Sequence, residues 1–149
     1  MLLACALYAW QVAVTWAGQN RVDPSEAGTR ILDPAHPDQS IITVNLLGEG
    51  IAEGATGRLT FDDRGARGTL EMANMPVLPS GQVYQMWCVD EVGRADVPII
   101  FRVAAGDRED SSIKLSTPRM LYGYVRFYIT VEPAGGSSTP SGPVVMENG

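Results

Sequence analysis

Histidine, cysteine and basic residues are scarce in this sequence, and each scarcity excludes a class of function. Its 149 residues include one histidine, His36, two cysteines, Cys5 and Cys88, and 11 basic against 17 acidic residues. These histidines and cysteines are too few for a zinc site of Cys and His ligands, or for a blue-copper site with two His and one Cys. The net charge of −6 leaves no basic stripe for a phosphate backbone. We therefore expect no cofactor and no nucleic-acid partner.

The sequence also lacks a clear catalytic constellation. His36 lies between prolines, so we do not expect it to act as the base of a catalytic triad. Carboxylate pairs at 62–63, 90–91 and 109–110 fall in predicted turns, where solvated residues are the usual interpretation. A hydrolase that uses Asp90 and Glu91, or an acidic turn that holds Ca²⁺, remains an alternative. We expect no catalytic or metal-binding residue, no enzymatic activity and no small-molecule substrate.

Charge is absent from residues 1–17, which are apolar except at Gln11 and Thr15. At about 1.5 Å per residue, a helix of this length covers roughly 25 Å of a ~30 Å hydrocarbon core. The segment predicts a short membrane anchor, in which Gln11 would prefer a protein neighbour. A secretory signal peptide and a lipoprotein signal at Cys5 are alternatives, but no basic residue precedes the apolar run. The predicted anchor residues are Leu2, Leu3, Leu7, Trp10, Val12, Val14 and Trp16.

The rest of the chain divides into a tether and an all-β domain. Residues 18–39 contain three prolines and no sustained period, which predicts an extended tether. From residue 40 to 149, short strand-like runs alternate with Gly, Pro, Asp and Asn clusters, which predicts an antiparallel β sandwich of seven or eight strands. The predicted strands are Ile41–Leu47, a hairpin over 57–73, a central strand at 82–89, Pro98–Val103, Ser111–Leu115, 123–132 and a final edge strand at Pro143–Met146.

The segment 123–132 has the clearest period of two, with an apolar face and a face predicted to meet water. On this prediction, Phe127→Ala costs about 3–5 kcal/mol whereas Tyr128→Ala is nearly neutral. Tyr124, Arg126 and Tyr128 share the predicted outer face, and Tyr and Arg are enriched at interface hot spots. With Gln11, these three residues are the predicted partner contacts, although a solvated sheet face is the alternative.

Several motifs resemble the extracytoplasmic C-terminal domain of the anti-sigma-K factor family. The segment Thr130–Ser137, TVEPAGGS, is followed by PSGPV at 140–144, and the resemblance extends to Tyr84-Gln85-Met86-Trp87 and to Gly57-Arg58-Leu59. It covers roughly residues 40–147. It implies a β domain outside a bacterial cytoplasmic membrane, on the periplasmic side, joined by a tether to a single membrane helix. The family binds its sigma factor through a cytoplasmic domain that would precede residue 1, so no sigma-binding residue is assigned here.

Two functions follow from these observations, and both depend on protein contacts. The first is an accessory structural subunit that contacts other membrane-protein subunits through its helix and its β domain, with the lipid bilayer around the helix. The alternative is the sensor and anchor half of an anti-sigma-K-type regulator of transcription. In either case, the loop at 133–143 is predicted to be a rigid corner fixed by its prolines and glycines. The alternative is a loop that also forms a contact surface.

Overall fold

The computed structural model describes residues 29–33, 36–62, 65–104 and 111–149, and it contains nine strands and two 3₁₀ turns in that part of the chain. The predicted membrane segment at 1–17 lies outside the described residues. Within the described ranges, no helix has the length and apolar character needed to cross a bilayer. The strands are β1 Thr29–Asp33, β2 His36–Gly48, β3 Thr56–Asp62, β4 Arg67–Ala73, β5 Gln82–Asp90, β6 Ala95–Phe101, β7 Ser111–Ser116, β8 Tyr124–Pro133 and β9 Val144–Asn148; the 3₁₀ turns are Gly50–Ala52 and Leu121–Gly123.

All nine strands belong to one antiparallel sheet, in the order β6-β5-β8-β9-β2-β3-β4-β7, with β1 paired to β2. The all-β prediction is confirmed, but two packed sheets are not present among the described strands. Strand β9 pairs on one edge with β8 and on the other with β2, so it joins the three strands β6-β5-β8 to the four strands β2-β3-β4-β7 in a continuous sheet. The joined sheet curls around a single core, and the fold is a half-barrel rather than a sandwich.

The position of β9 and the start of the sheet differ from the prediction. Strand β9 was expected at an edge, yet it lies inside the sheet, because residues 128–130 and 46–48 both pair with it. The predicted tether at 18–39 includes β1 and the first residues of β2. The two strands pair as an antiparallel hairpin, in which Thr29 lies opposite Thr43. Proline is tolerated near the start of a strand, and Pro37 lies there. The sheet therefore begins before residue 40.

The core lies on the inner surface of the curl and contains residues of both halves. Phe61 of β3 and Phe127 of β8 face each other with ring centroids 6.2 Å apart. Tyr84 of β5 stacks on Phe101 of β6 at 5.4 Å, and its hydroxyl donates to the Pro76 carbonyl at 2.8 Å. The hairpin at 57–73 is confirmed as β3 and β4. Fully buried members of the core include Leu46, Leu59, Leu70, Met86, Leu121, Ile129 and Met146.

Candidate functional site

The outer face of β8 is buried beside that of β5, which corrects the prediction that this face of 123–132 meets water. Trp87 and Tyr128 lie directly opposite each other in the two strands and stack with ring centroids 6.3 Å apart. Tyr128 is 8% exposed. Tyr124, which is 5% exposed, packs in the inner core against Phe127, whereas Val125, expected in the core, is 44% exposed. Of the three strand residues predicted to contact a partner, only Arg126 is exposed. Strand β8 is therefore covered on both faces over most of its length.

Arg126 lies over the Tyr128 ring, with its guanidinium carbon 4.7 Å from the ring centroid. The same guanidinium donates to Glu147 of β9 at 2.7 Å. A cation held over an aromatic face and paired with a carboxylate is fixed in one orientation. Arg126 thus shields the outer face of Tyr128 and is itself the accessible part of the predicted patch.

A chain of hydrogen bonds runs along the outer face from Trp87 to Glu132. The indole Nε1 of Trp87 donates to Thr130 Oγ1 at 2.8 Å, and Thr130 Oγ1 donates to Glu132 Oε1 at 2.7 Å. Thr130 and Glu132 are at most 1% exposed. Because a buried charge is costly unless it is hydrogen-bonded, the surroundings of Glu132 decide whether this face is stable.

Glu132 is held by the loop at 133–143, which folds back over the sheet. The hydroxyls of Ser137 and Ser141 both donate to Oε2 of Glu132, the first at 2.7 Å, and the Ser141 amide donates to Oε1 at 3.0 Å. The Gly142 amide adds a longer bond at 3.3 Å. Together with Thr130, these donors surround both carboxylate oxygens. The carboxylate therefore fastens the loop to β8 at its middle, through Ser137, and near its end, through Ser141 and Gly142.

Gln85 of β5 fastens the same loop independently of Glu132. Its side-chain amide donates to the Ser137 carbonyl at 2.7 Å and accepts from the Ser137 amide at 2.8 Å. Gly136 has φ +79°, and a Cβ there would collide with Ile100 and Gln85. Glycine is thus required at this position by backbone conformation and by close approach. The prediction that glycines and prolines make 133–143 a rigid corner agrees with these contacts.

The pKa of Glu132 reflects two opposing effects. Burial raises it, but the hydrogen bonds from Ser141, Ser137 and Thr130 outweigh burial and hold the pKa at about 2, against an ordinary value of 4.5. The donors stabilise the ionised form more than desolvation opposes it. Glu132 is therefore a permanent anion at neutral pH, and it is not suited to accept a proton as a catalytic base.

The depressed pKa of Glu132 predicts a specific loss of stability in acid. A carboxyl whose pKa is lower in the folded state contributes stability above its unfolded pKa, and that contribution disappears as the pH falls toward the folded pKa. For Glu132 the window runs from about 4.5 down to about 2. We expect Glu132 to account for a loss of roughly 2 kcal/mol between about pH 5 and pH 3. Urea unfolding of the native chain and of Glu132→Gln at several pH values measures this difference, and parallel curves for the two proteins would contradict it.

A second polar cluster lies at the rim of the sheet where β5 ends and β6 and β8 begin. The Arg119 guanidinium donates to Asp90 and to Asp96, each at 2.5 Å, and Tyr124 Oη donates to Asp96 at 2.5 Å. Arg94 donates to Asp90 from its backbone and its side chain, both at 2.8 Å. Arg119 follows β7, so its ion pair with Asp96 of β6 connects the two terminal strands of the sheet.

The charges in this rim cluster are mutually compensated. Burial raises the pKa of Asp90, but the hydrogen bonds from Arg94 and Arg119 outweigh burial and lower the pKa to about 2. The hydrogen bond from Tyr124 is the main cause that lowers the pKa of Asp96. Burial and the bond to Asp96 raise the pKa of Tyr124 to about 12. With both carboxylates ionised and bound to guanidinium groups, the cluster is suited to bracing the rim rather than to acid–base work.

The two carboxylates that the hydrolase alternative would use, Asp90 and Glu91, have different surroundings. Asp90 is engaged by Arg94 and Arg119, while its neighbour Glu91 is exposed in the turn. Cys88 is a free, buried thiol whose pKa is raised by burial. Within the described ranges, no three His, Cys, Asp or Glu side chains converge as metal ligands. Gln11 and the predicted anchor residues lie outside the described part of the chain.

Sequence reasoning missed the residues that organise both clusters. Glu132 was assigned to a solvent-facing position, and Ser137, Ser141 and Arg119 were given no role of their own. A signal for Glu132 was present, because its carboxylate follows Thr130 by two residues on one face and precedes a serine-rich loop. No comparable signal existed for Arg119, whose partners lie 23 and 29 residues away.

Comparison with known proteins connects this architecture to one family. Residues 1–144 match the family model described as the C-terminal domain of the anti-sigma-K factor RskA. The anti-sigma-K factor RskA of Mycolicibacterium vanbaalenii is 34% identical over 116 residues, which cover 76% of this chain and 43% of that protein. The protein of the same name from Mycobacterium ulcerans is 36% identical over 98 residues, which cover 63% of this chain and 38% of that protein. No solved structure matches the chain.

These values have two consequences. The chain spans about two fifths of the length of the curated relatives it matches. The match to the family model covers nearly the whole chain, including the segment outside the described residues. The resemblance seen in the sequence motifs is thereby confirmed, and the chain belongs to the family of anti-sigma-K factor C-terminal domains.

Proposed function

We propose that this chain is the anchor and extracytoplasmic part of an anti-sigma-K-type regulator of transcription, and that its half-barrel acts by binding another protein. The observation that carries the proposal is the family match over residues 1–144, together with curated relatives that are named anti-sigma-K factors. These comparisons favour the regulator over the accessory structural subunit that was the first hypothesis. In this proposal, binding to the sigma factor belongs to a region outside residues 1–149.

The geometry of the two clusters supports a binding role without enzymatic activity. The most strongly bound carboxylates, at Glu132, Asp90 and Asp96, have lowered pKa values and are surrounded by donors. They hold the loop at 133–143 and the rim in fixed positions. A rigid surface loses little conformational entropy when a partner binds. The half-barrel is therefore built to present fixed surfaces, with Arg126 and the tip of the loop accessible.

We further propose that residues 1–17 cross the bacterial cytoplasmic membrane once, with the half-barrel on the periplasmic side. Thr139→Cys places a thiol on an exposed loop tip, and a membrane-impermeant maleimide applied to intact cells should label it. The native chain is the matched control, since Cys88 is buried. Labelling of Thr139→Cys only after permeabilisation would contradict the proposed side of the membrane.

The regulatory role is tested by deleting the gene that encodes the chain and measuring all transcripts. We expect a discrete group of promoters that share one recognition element to rise, and complementation to lower them again. If no promoter group changes while a membrane complex is lost from native gels, the accessory-subunit hypothesis replaces this one. Because transcripts and labelling are measured separately, an error in topology is distinguishable from an error in function.

A further inference from the structure

A row of polar side chains crosses the outer face of the second half of the sheet. Asn45 of β2 lies opposite Arg58 of β3, Arg58 lies opposite Glu71 of β4, and Glu71 lies opposite Ser112 of β7. All four residues are exposed. In antiparallel pairs, side chains at such positions stand beside one another on one face. The row therefore places an amide, a guanidinium, a carboxylate and a hydroxyl in one line.

A groove of about 670 Å³ runs along this row. Ligand-binding pockets in proteins commonly have volumes of about 300–1,000 Å³. The groove has space beside the row because the neighbouring positions on its lining carry small side chains, among them Thr56 and Ala73. Leu47, which is 64% exposed, adds an apolar surface at one side. The site thus combines a polar line with one aliphatic contact.

Most polar side chains of the groove have unused hydrogen-bonding capacity, although Ser111 is already engaged. The closest approach of Arg58 and Glu71 is 3.7 Å, which is beyond hydrogen-bond length. The side chains of Asn45, Thr56 and Ser112 make no hydrogen bond to another described residue. This situation differs from that of the loop at 133–143, where Ser137 and Ser141 are bound to Glu132. Donors and acceptors of the groove are therefore available to a ligand.

The chemistry of the row selects a class of ligand. One guanidinium and one carboxylate cancel in charge, so the groove offers no net attraction to an anion or a cation. Donors and acceptors alternate within a few ångströms, which suits hydroxyl groups because each can donate and accept. Leu47 can contact the C–H face of a sugar ring through its apolar side chain. We propose that this groove binds a neutral, polyhydroxylated ligand, namely a saccharide.

A peptide satisfies this groove less well than a saccharide. An extended peptide gains affinity mainly by adding a strand to an exposed sheet edge, whereas the groove crosses the face of four strands that are paired with one another. The hydrogen-bonding groups that it presents are side chains rather than a row of backbone amides and carbonyls. The inference concerns a ligand of the half-barrel and does not depend on the proposed regulatory function.

Saturation-transfer difference NMR tests the inference with the full chain in phosphatidylcholine nanodiscs, which avoids glycosidic detergents that would compete. The probes are maltose, cellobiose and N,N′-diacetylchitobiose, with trialanine as the peptide probe. We expect transfer to at least one disaccharide and none to trialanine. Arg58→Ala and Glu71→Ala should each weaken binding about tenfold, because each removes charged hydrogen bonds. Lys114→Ala is the matched control, since Lys114 is exposed on β7, two residues from Ser112 and outside the groove.

Each other outcome would overturn the inference. Absence of transfer to all three disaccharides excludes a saccharide site, and transfer to trialanine that Arg58→Ala abolishes assigns the groove to a peptide. Equal transfer in the native chain, Arg58→Ala and Glu71→Ala places any sugar contact elsewhere. Circular dichroism checks that the variants remain folded, and an exposed pair at 3.7 Å contributes little to stability. A negative result here leaves the transcript measurement unaffected, so the two proposals fail separately.

Discussion

Phe127→Ala and Tyr128→Ala will both destabilise the half-barrel, although the two side chains lie on opposite faces of β8. Phe127 is 1% exposed within the inner core, next to Phe61, and its truncation should cost about 3–5 kcal/mol through loss of buried surface and formation of a cavity. Tyr128 is nearly as buried, but between Trp87 and Arg126. Its truncation should cost about 3 kcal/mol, because the stacked pair and the cation contact are both lost.

Chemical unfolding followed by circular dichroism measures both variants against a matched control. Val125→Ala changes a residue of the same strand that is 44% exposed, and it should stay within about 0.5 kcal/mol of the native chain. The alternation along 123–132 had predicted the opposite result for Tyr128, with almost no loss. Should Tyr128→Ala unfold at the same urea concentration as Val125→Ala, the outer face would be unpacked in solution.

The strands of this fold could be predicted because period and turn chemistry are local properties. Alternation identified the hairpin of β3 and β4, and two apolar faces identified β5 as a central strand, as its pairing with β6 and β8 confirms. Each of these signals lies within about ten residues of sequence. The existence of β2 to β9 therefore followed from the residues alone, whereas β1 lies in the segment predicted to be a tether.

The arrangement of the strands could not be predicted because it depends on distant partners. The choice between a sandwich and a single curled sheet rests on β9, which pairs with residues 46–48 about 100 positions earlier. Strand β9 was predicted as a final edge strand, but a short strand can have an inner position where two longer strands both leave room for it. A short strand carries no local sign of that arrangement.

The residues of the candidate site could not be predicted for a related physical reason. A polar residue on an alternating strand usually faces water, and this rule assigned Thr130 and Glu132 to solvent. The loop at 133–143 returns over the same strand and supplies the donors that these buried groups require. The contacts of the loop agree with the prediction that it is rigid, yet its target could be identified only when Ser137 and Ser141 were placed in three dimensions.

Glu132→Ala will release the loop at 133–143 and lower the free energy of unfolding by about 3 kcal/mol. The substitution removes the acceptor for the Ser137 and Ser141 hydroxyls and the Ser141 and Gly142 amides. Hydrogen bonds to a charged group contribute about 1.5–3 kcal/mol, and donors left unpaired in a buried place add a further cost. Glu132→Gln should lower the free energy of unfolding by a comparable amount, because the glutamine NH2 group is itself a donor and cannot accept the hydrogen bonds that the carboxylate oxygen accepts.

Amide hydrogen exchange distinguishes release of the loop from general loss of stability. In Glu132→Gln, exchange should accelerate most at Ser141 and Gly142, whose amides donate to the carboxylate, and less at Ser137, whose amide donates to Gln85. Glu147→Gln is the control, since the Glu147 carboxylate forms a partly exposed ion pair with Arg126. Such pairs contribute at most about 1 kcal/mol to the free energy of unfolding. Uniform acceleration at all three amides would mean that Gln85 cannot hold its side of the loop alone, and unchanged exchange at Ser141 would remove Glu132 from the role assigned to it. The expected gradient follows from one geometric fact: two separate side chains, on neighbouring strands, fasten the same loop at different backbone amides.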